Sequence, residues 1–347
     1  MMPARRVAKG RLLRRSARRL GRREAGLTLI ELMVALVLGL LIAAAAVAAL
    51  TIARTGFTSV DNSSQLRENA RFATSLIQRI VVQSGFENAA YGAVSPSGGK
   101  PGGIRGYDNA LVNSSNLADV STVAVTAVPS LAHDTRPTVC TATDTSCVNG
   151  SDILVVRYWG ASRTPGGAAD GSMINCAGVP EGEPADISID ANRSFSIFSV
   201  ARSASGEPTL ACTYRTATGW QTVPLVSGVE SFQVLYGVDT LDAAGATGVD
   251  SVADRYYRAA DLDAAGTLPG APAGVTNWQR VRTLRIGMVV RGNAPNAISS
   301  TAQTVPVLGA GFTSAGDTLS NLAVPADGRL RQNIVFTVHL RNAQYAP

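Results

Sequence analysis

Glu31 is the single charged residue in a long apolar stretch, and this makes it the first candidate for chemistry. The stretch runs from Leu27 to Ile52 and reads LTLIELMVALVLGLLIAAAAVAALTI. As a helix it would be roughly 39 Å long, against about 30 Å for the hydrocarbon core of a bilayer. A carboxylate in that layer costs about 2.5–3.5 kcal/mol and normally needs a partner. The stretch therefore predicts a transmembrane helix whose one charge must be explained.

A cut between Gly26 and Leu27 would create a partner for this carboxylate. The new α-amino group of Leu27 would be mostly protonated at neutral pH, and Glu31 follows one helical turn later. The two charges could then neutralise one another within one chain or between neighbouring chains. A negative side chain in the first turn also suits the helix dipole, by about 0.3–1 kcal/mol. The alternative is that Glu31 is an interfacial residue that only reaches toward the lipid headgroups.

The positive charge of the chain is concentrated before the apolar stretch. The net charge is +6, but residues 1–26 are rich in arginine and have Glu24 as their only acid. Without them the chain is mildly acidic, so its pI near 9.4 does not indicate a nucleic-acid partner. Because basic residues accumulate on the cytoplasmic side, we expect a single-pass membrane protein with residues 1–26 in the cytoplasm and everything after Ile52 outside.

The residues around the expected cut resemble a known processing signal. The run Gly26-Leu27-Thr28-Leu29-Ile30-Glu31, with the apolar residues after it, resembles the class III signal of type IV pilins and type II secretion pseudopilins. This resemblance implies cleavage after Gly26 by a prepilin peptidase, N-methylation of Leu27, and contact between Glu31 and a neighbouring subunit's terminal amine. Leu27 stands where Phe is commonest, Ala25 stands where a basic residue is usual, and a leader of residues 1–26 is long.

Two other interpretations of the N-terminus stay open. A secretory signal peptide would be cut at small residues within Ala43–Ala49, but its apolar region is usually only about 7–15 residues long. An uncleaved signal anchor would keep residues 1–26.

The helical pattern continues beyond the membrane segment, which we assign to residues 27–55. In residues 56–85, apolar side chains recur at helical spacing and predict an amphipathic continuation that ends near Gln83. Gly85 is a suitable stop signal, and Gly39 and Gly56 are positions where the helix could bend. The spaced apolar residues are Leu66, Ala70, Ala73, Ile77 and Ile80.

Residues 86–347 read as a β-rich head, so the predicted fold class is α+β. Strands are expected at Ile153–Trp159, around Phe195, Ile197 and Phe198, and at three alternating stretches near the C-terminus. We predict one antiparallel sheet packed on the helix, with long loops at residues 86–119, 239–275 and 292–330. The alternating stretches are Phe232, Val234 and Tyr236; Leu284, Ile286, Met288 and Val290; and Ile334, Phe336, Val338 and Leu340.

Four further stretches resemble the PilW family of minor pilins. They are Glu68–Ala73, Leu225–Asp239, Trp278–Arg291 and Arg329–Asn342. The resemblance implies a low-abundance subunit that helps to start type IV pilus assembly. Its partners would be other major and minor pilins and the inner-membrane assembly platform. The alternatives are a type II secretion minor pseudopilin and a membrane-anchored periplasmic binding module.

The remaining candidate residues are cysteines, histidines and aspartates, and their pattern indicates disulfides and not catalysis or metal binding. Four cysteines follow the membrane segment, where an oxidising periplasm permits pairing, and we favour Cys140 with Cys147 and Cys176 with Cys212. No cofactor, metal or enzymatic activity is expected. His133 and His339 are far apart for zinc, and the spacing of Asp239, Asp242 and Asp250 misses the calcium-loop pattern. These three aspartates read equally well as part of a solvated loop.

Overall fold

The computed structural model describes most of the chain. The described residues are 26–87, 102–110, 112, 148–164, 166–186, 192–240, 251–264, 266, 268–269, 275–295, 301–312 and 320–342. The chain divides into two compact units, Met1–Thr55 and Gly56–Pro347. Each unit is described by itself.

Helix α1 spans Leu29–Val81 and begins in the first unit. Every residue of this unit from Gly26 to Thr55 is exposed, although nearly all of them are apolar. By length and composition the segment could cross a membrane. The predicted long apolar N-terminal helix is confirmed, and it stays helical through Gly39 and Gly56.

In the second unit, α1 buries one face. Leu66, Ala70, Ala73, Ile77 and Ile80 are all buried, which confirms the predicted amphipathic pattern. The helix ends at Val81, and a left-handed Gly85 with φ +67° follows, a conformation that glycine adopts without steric cost.

Two side chains fix the end of this helix. Gln83 exchanges hydrogen bonds with the backbone of Ile174, at 3.1 and 3.0 Å. The Asn342 amide donates to the carbonyl of Ser84 at 3.1 Å. The exit of α1 is therefore attached to segments from both the middle and the end of the chain.

The described strands of the head form three antiparallel sheets. A five-stranded sheet has the order β1-β2-β3-β4-β5, a four-stranded sheet β11-β8-β6-β7, and a two-stranded sheet β10-β9. A short helix α2 (Ala259–Ala264) and two 3-10 turns (Asn277–Arg280, Ala310–Phe312) lie between strands. The strands are β1 (Ile104–Tyr107), β2 (Ile153–Tyr158), β3 (Ser194–Arg202), β4 (Pro208–Thr216), β5 (Gly219–Ser227), β6 (Val229–Val238), β7 (Arg255–Tyr257), β8 (Val281–Pro295), β9 (Gln303–Pro306), β10 (Asn321–Val324) and β11 (Arg329–His339).

The prediction of one sheet was wrong, because the chain changes sheets at Gly228. This glycine has φ +83°, and a Cβ there would lie 2.4 Å from the Arg291 carbonyl oxygen. Its N–H donates to Pro208 in β4, and its carbonyl accepts from Arg291 in β8. Gly228 therefore joins the two large sheets at the point where β5 ends and β6 begins.

The main core contains the buried face of α1, the face of the four-stranded sheet that carries the predicted alternating residues, and one face of the five-stranded sheet. Phe232, Val234 and Tyr236 on β6 are fully buried, as are Leu284, Ile286 and Met288 on β8. The opposite face of the four-stranded sheet packs Val289 against Val307, Leu322 and Val324. The opposite face of the five-stranded sheet has its own apolar cluster, which contains Tyr107, Ile153, Val155, Phe195 and Ile197.

Three segments predicted as loops contain short elements. Strand β1 lies in residues 86–119, β7 and α2 lie in residues 239–275, and β9 and β10 lie in residues 292–330. The strands among these elements are only three or four residues long. An element that short has no readable periodicity, and here it is stabilised by pairing with distant segments.

Candidate processing and assembly site

The start of α1 is closed by a reciprocal pair of hydrogen bonds between Thr28 and Glu31. The Thr28 N–H donates to Glu31 Oε2 at 2.9 Å, and the Glu31 N–H donates to Thr28 Oγ1 at 3.3 Å. The Thr28 hydroxyl also donates to Glu31 Oε2, at 3.0 Å. This is a capping box, which satisfies two backbone donors that a helix start leaves open.

Thr28 is a functional residue that the sequence reasoning missed. The T-x-x-E spacing of Thr28 and Glu31 is the sequence signature of a capping box, so a local signal was present. The structure therefore gives Glu31 a partner within its own chain, in addition to any amine created by cleavage.

Gly26 and Leu27 precede the helix and are exposed. Both are outside regular secondary structure, and a Cβ at Gly26 would meet no atom within 4 Å. The Leu27 side chain is 77% exposed. The bond between these residues therefore lies outside the helix and is accessible, as a protease substrate must be.

Past Glu31, the exposed surface of this unit is apolar. Glu31 is the only charged residue from Leu27 to Ala53. Such a surface is stable only against lipid or the apolar surfaces of other proteins.

Of the predicted cysteine pairs, one is described by the structure. A disulfide joins Cys176 to Cys212, with the Cα atoms 5.8 Å apart. It ties the segment between β2 and β3 to strand β4, and the Cys176 N–H also donates to Ser196 Oγ at 3.0 Å. Cys140 and Cys147 lie outside the described residues.

Of the other residues considered from the sequence, the structure describes His339 and Asp239. His339 is exposed at the end of β11, whereas His133, Asp242 and Asp250 lie outside the described residues. Asp239 is fully buried and accepts the N–H of Ser251 at 2.8 Å. Within the described ranges, no group of three or more His, Cys, Asp or Glu side chains converges to hold a metal ion.

A network of six charged side chains joins the ends of the two large sheets, and sequence reasoning missed it. Arg291 on β8 contacts Glu207 at 2.8 Å and Glu230 at 2.9 Å. Arg331 on β11 contacts Glu230 at 2.6 Å and Asp327 at 2.7 Å. Arg329 completes the set, at 3.5 Å from Glu207. Most of these partners are far apart along the chain, so no local pattern could have revealed them.

A buried carboxylate joins the same two sheets near the middle of β6. Asp152, just before β2, accepts the N–H of Val234 at 2.8 Å and the N–H of Asn109 at 3.1 Å. Burial, followed by the nearby charge of Asp108, raises the pKa of Asp152 to about 8. Its hydrogen bonds cross between the sheets, so the group has a structural role.

Comparison with known proteins agrees with this organisation. The model of a prokaryotic N-terminal methylation motif matches residues 21–47, which include Gly26, Leu27 and Glu31. The model of PilW, described as type IV pilus-assembly protein W, matches residues 197–342. That match covers less than half of the chain and includes all of β6, β8 and β11.

Comparison with individual proteins adds little. No curated protein matches the chain. Among solved structures, the type IV-like pilin TTHA1219 from Thermus thermophilus is similar at 15% identity, over 56% of this chain and 79% of that one, with a TM-score of 0.29. A similarity this low carries no argument.

An N-terminal methylation motif on an exposed apolar helix, followed by an antiparallel β-sheet head, defines a class of protein. The two family matches together support a type IV pilin-like protein with a class III signal. Within that class, its head is similar to the type IV pilus-assembly protein PilW.

Proposed function

We propose that this protein is a minor pilin that takes part in the assembly or initiation of a type IV pilus. The observation that carries the proposal is the occurrence, in one chain, of the methylation motif at residues 21–47 and the PilW match at residues 197–342. Before assembly, α1 would hold the protein in the inner membrane with the head in the periplasm. The partners would be other major and minor pilins and the inner-membrane assembly platform.

Processing would occur between Gly26 and Leu27. A prepilin peptidase would hydrolyse this peptide bond, remove the basic residues 1–26, and leave Leu27 as the terminus for N-methylation. The exposure of the junction ahead of the capped helix supports this assignment.

The geometry of Glu31 supports a role in contact between subunits. Its Oε2 atom accepts both hydrogen bonds from Thr28, whereas Oε1 accepts none from any described residue. We infer that Oε1 receives the terminal ammonium group of Leu27 from a neighbouring pilin. In a low-dielectric filament core this pairing would remove the cost of burying either charge alone.

The protein would then act by assembly and not by catalysis. Its apolar helix would pack among the helices of other pilins, which explains why residues 27–55 expose so much apolar surface in the single chain. The head, stabilised by its own core, would remain outside to contact partner subunits.

The mature N-terminus tests the proposal directly. Mass spectrometry of the full chain isolated from membranes should find a protein that begins at Leu27 and carries one methyl group. An uncleaved chain, or one that starts near Ala46, would refute the pilin assignment. Co-purification with the pseudopilins of a secretion system, without pilins, would instead support the pseudopilin alternative.

Substitution of Glu31 tests the assembly contact. Glu31→Ala should leave membrane insertion and cleavage largely intact but impair incorporation into pili. Thr28→Ala is the matched control, because it removes the cap, at about 0.5–2 kcal/mol, and keeps the carboxylate; incorporation should persist. Normal incorporation of Glu31→Ala would contradict the role of Glu31.

A further inference from the structure

Among the described strands, the two large sheets have four edges, and three of these edges have features that disfavour pairing with other strands. Strand β1 has four residues and β7 has three, and β5 contains Pro224. Strand β11, at the edge of the four-stranded sheet, has eleven residues. Short strands and prolines are common means by which proteins block unwanted pairing at sheet edges.

Most of β11 carries no such protection. From Gln332 to His339 its sequence is QNIVFTVH, which contains no proline, glycine, Asp, Glu, Lys or Arg. The irregularity in its pairing lies earlier, between Arg329 and Arg331, and the register with β8 is regular from Arg331 to His339. Arg331 is already held by Glu230 and Asp327, so its charge is neutralised within the head.

The outer side of β11 presents backbone hydrogen-bonding groups in a regular row. The Leu340 N–H donates to the Arg282 carbonyl on the β8 side at 2.8 Å. Because antiparallel bonding alternates along a strand, the even-numbered residues face β8 and the odd-numbered ones face outward. The N–H and C=O groups of Asn333, Val335 and Thr337 therefore point away from the sheet, and no backbone group in the described part of the chain bonds to them.

The core-side face of β11 is also incompletely covered. Val338 and Leu340 are buried, but Ile334 and Phe336 are only half-buried while they pack against the main core. A strand placed along the outer edge would set its own side chains beside Ile334 and Phe336 and cover them further.

We propose that residues 332–339 dock an extended strand from another pilin-like subunit, which adds a fifth strand to the four-stranded sheet. The inference rests on the proposed function for the class of its partner. The docked strand would be uncharged along its middle, alternate apolar side chains on one face, and bond to the outward groups of Asn333, Val335 and Thr337.

Charge decides between this partner and a second copy of the same chain. In antiparallel self-pairing that uses the full strand, centred on Val335, Arg341 of each copy would lie opposite Arg329, which already pairs with Glu207 and Asp327. A second copy would therefore offer Arg341 no free carboxylate. Arg341 is exposed, and no carboxylate among the described residues pairs with it. A different subunit with an acidic residue at that end of its strand would complement it.

Site-specific crosslinking in cells tests the proposal with the full-length protein. A benzophenone amino acid replaces His339, which is exposed at the end of the edge, and in a control chain it replaces Gln221, which is exposed on β5. We expect an adduct at position 339, identified by mass spectrometry as the strand of another pilin-like subunit, and no such adduct at position 221. An adduct with a second copy of this chain, or no pilin adduct at 339, would overturn the proposal.

A proline in the edge tests the backbone contact itself. Val335→Pro removes an outward N–H and leaves the bonds to β8 in place. The docked strand would lose one hydrogen bond and would meet the pyrrolidine ring of the proline, so the adduct yield should fall by about tenfold. Val335→Thr keeps the N–H and should leave the yield unchanged. An unchanged yield with Val335→Pro, in a head that still resists protease, would refute backbone pairing.

A substitute variant and the mature N-terminus separate failure of the docking proposal from misfolding and from failure of the proposed function. If Val335→Pro loses protease resistance, Thr337→Lys replaces it, because it keeps every N–H but places a charge on the edge; the same fall is expected. If the mature chain begins at Leu27 and position 339 gives no adduct, the docking proposal is refuted and the proposed function is not. If it does not begin at Leu27, the proposed function fails whatever the adduct.

Discussion

The two halves of α1 contain similar apolar residues in opposite environments. Ile42, in the N-terminal half, is 71% exposed, whereas Ile77, in the C-terminal half, is fully buried. The first half has apolar residues on all sides, as a membrane or filament helix does, and the second half has one apolar stripe facing its own head. The same helix therefore has one half that depends on other molecules and one that depends on its own chain.

The acidic residues of the two regions differ in the same way. Glu31 bonds to Thr28, three residues away, whereas Glu230 bonds to Arg291 and Arg331, 61 and 101 residues away. The bonds of Glu31 are thus local, whereas those of Glu230 join segments that are far apart along the chain. Changes within residues 27–55 should therefore leave head stability unaltered, and changes in the head network should lower it.

The largest effect is expected from loss of Glu230. Glu230→Ala removes the carboxylate shared by Arg291 and Arg331. It should destabilise the head by roughly 3–5 kcal/mol, because three arginines then share two carboxylates and one positive charge of the network is uncompensated. Urea unfolding of the full chain in detergent micelles, followed by tryptophan fluorescence, measures this change. Trp159, Trp220 and Trp278 all lie in the head. Glu31→Ala is the control, and an equal loss in both variants would contradict the separation of the two regions.

A smaller effect is expected from matched isoleucine substitutions. Ile77→Ala should destabilise the head by about 2–4 kcal/mol, because it opens a cavity beside α1. Ile42→Ala removes the same atoms from an exposed position and should leave the midpoint of head unfolding unchanged. A shift for Ile42→Ala comparable to that for Ile77→Ala would show that the halves of α1 are energetically coupled.

The smallest effect concerns acid pH. Hydrogen bonds from Arg331, at 2.7 Å, lower the pKa of Asp327 from 3.8 to about 2. Between these values the unfolded chain binds a proton that the folded head does not, so the free energy of unfolding should decrease as pH falls from about 4 to about 2. Unfolding measured across this window should be less pH-dependent in Asp327→Asn. Asp61→Asn, on an exposed part of α1, should keep the original slope.

Much of the fold could be predicted where a pattern was long and regular. The buried face of α1 and the alternating residues of β6, β8 and β11 were predicted and are confirmed. The division into two large sheets was missed, because it depends on the conformation of Gly228 and on its bonds to Pro208 and Arg291. Nothing near Gly228 in the sequence indicates those bonds.

The functional features also differ in whether local sequence could predict them. The junction at Gly26 and Leu27 and the position of Glu31 could be predicted from contiguous residues, and the cap at Thr28 could have been. The charged network around Glu230 and the unprotected edge of β11 could not, because each is defined by which distant strands become neighbours.

By itself, then, the sequence determined the N-terminal region: an apolar helix, its processing signal and its lone carboxylate. These features follow from residues within a few helical turns of one another, so local physics is sufficient. Only the tertiary structure decided how the head is divided into sheets, which arginine meets which carboxylate, and which strand edge remains open. Those outcomes depend on pairing between residues that are in several cases more than 100 positions apart, which a local pattern does not encode.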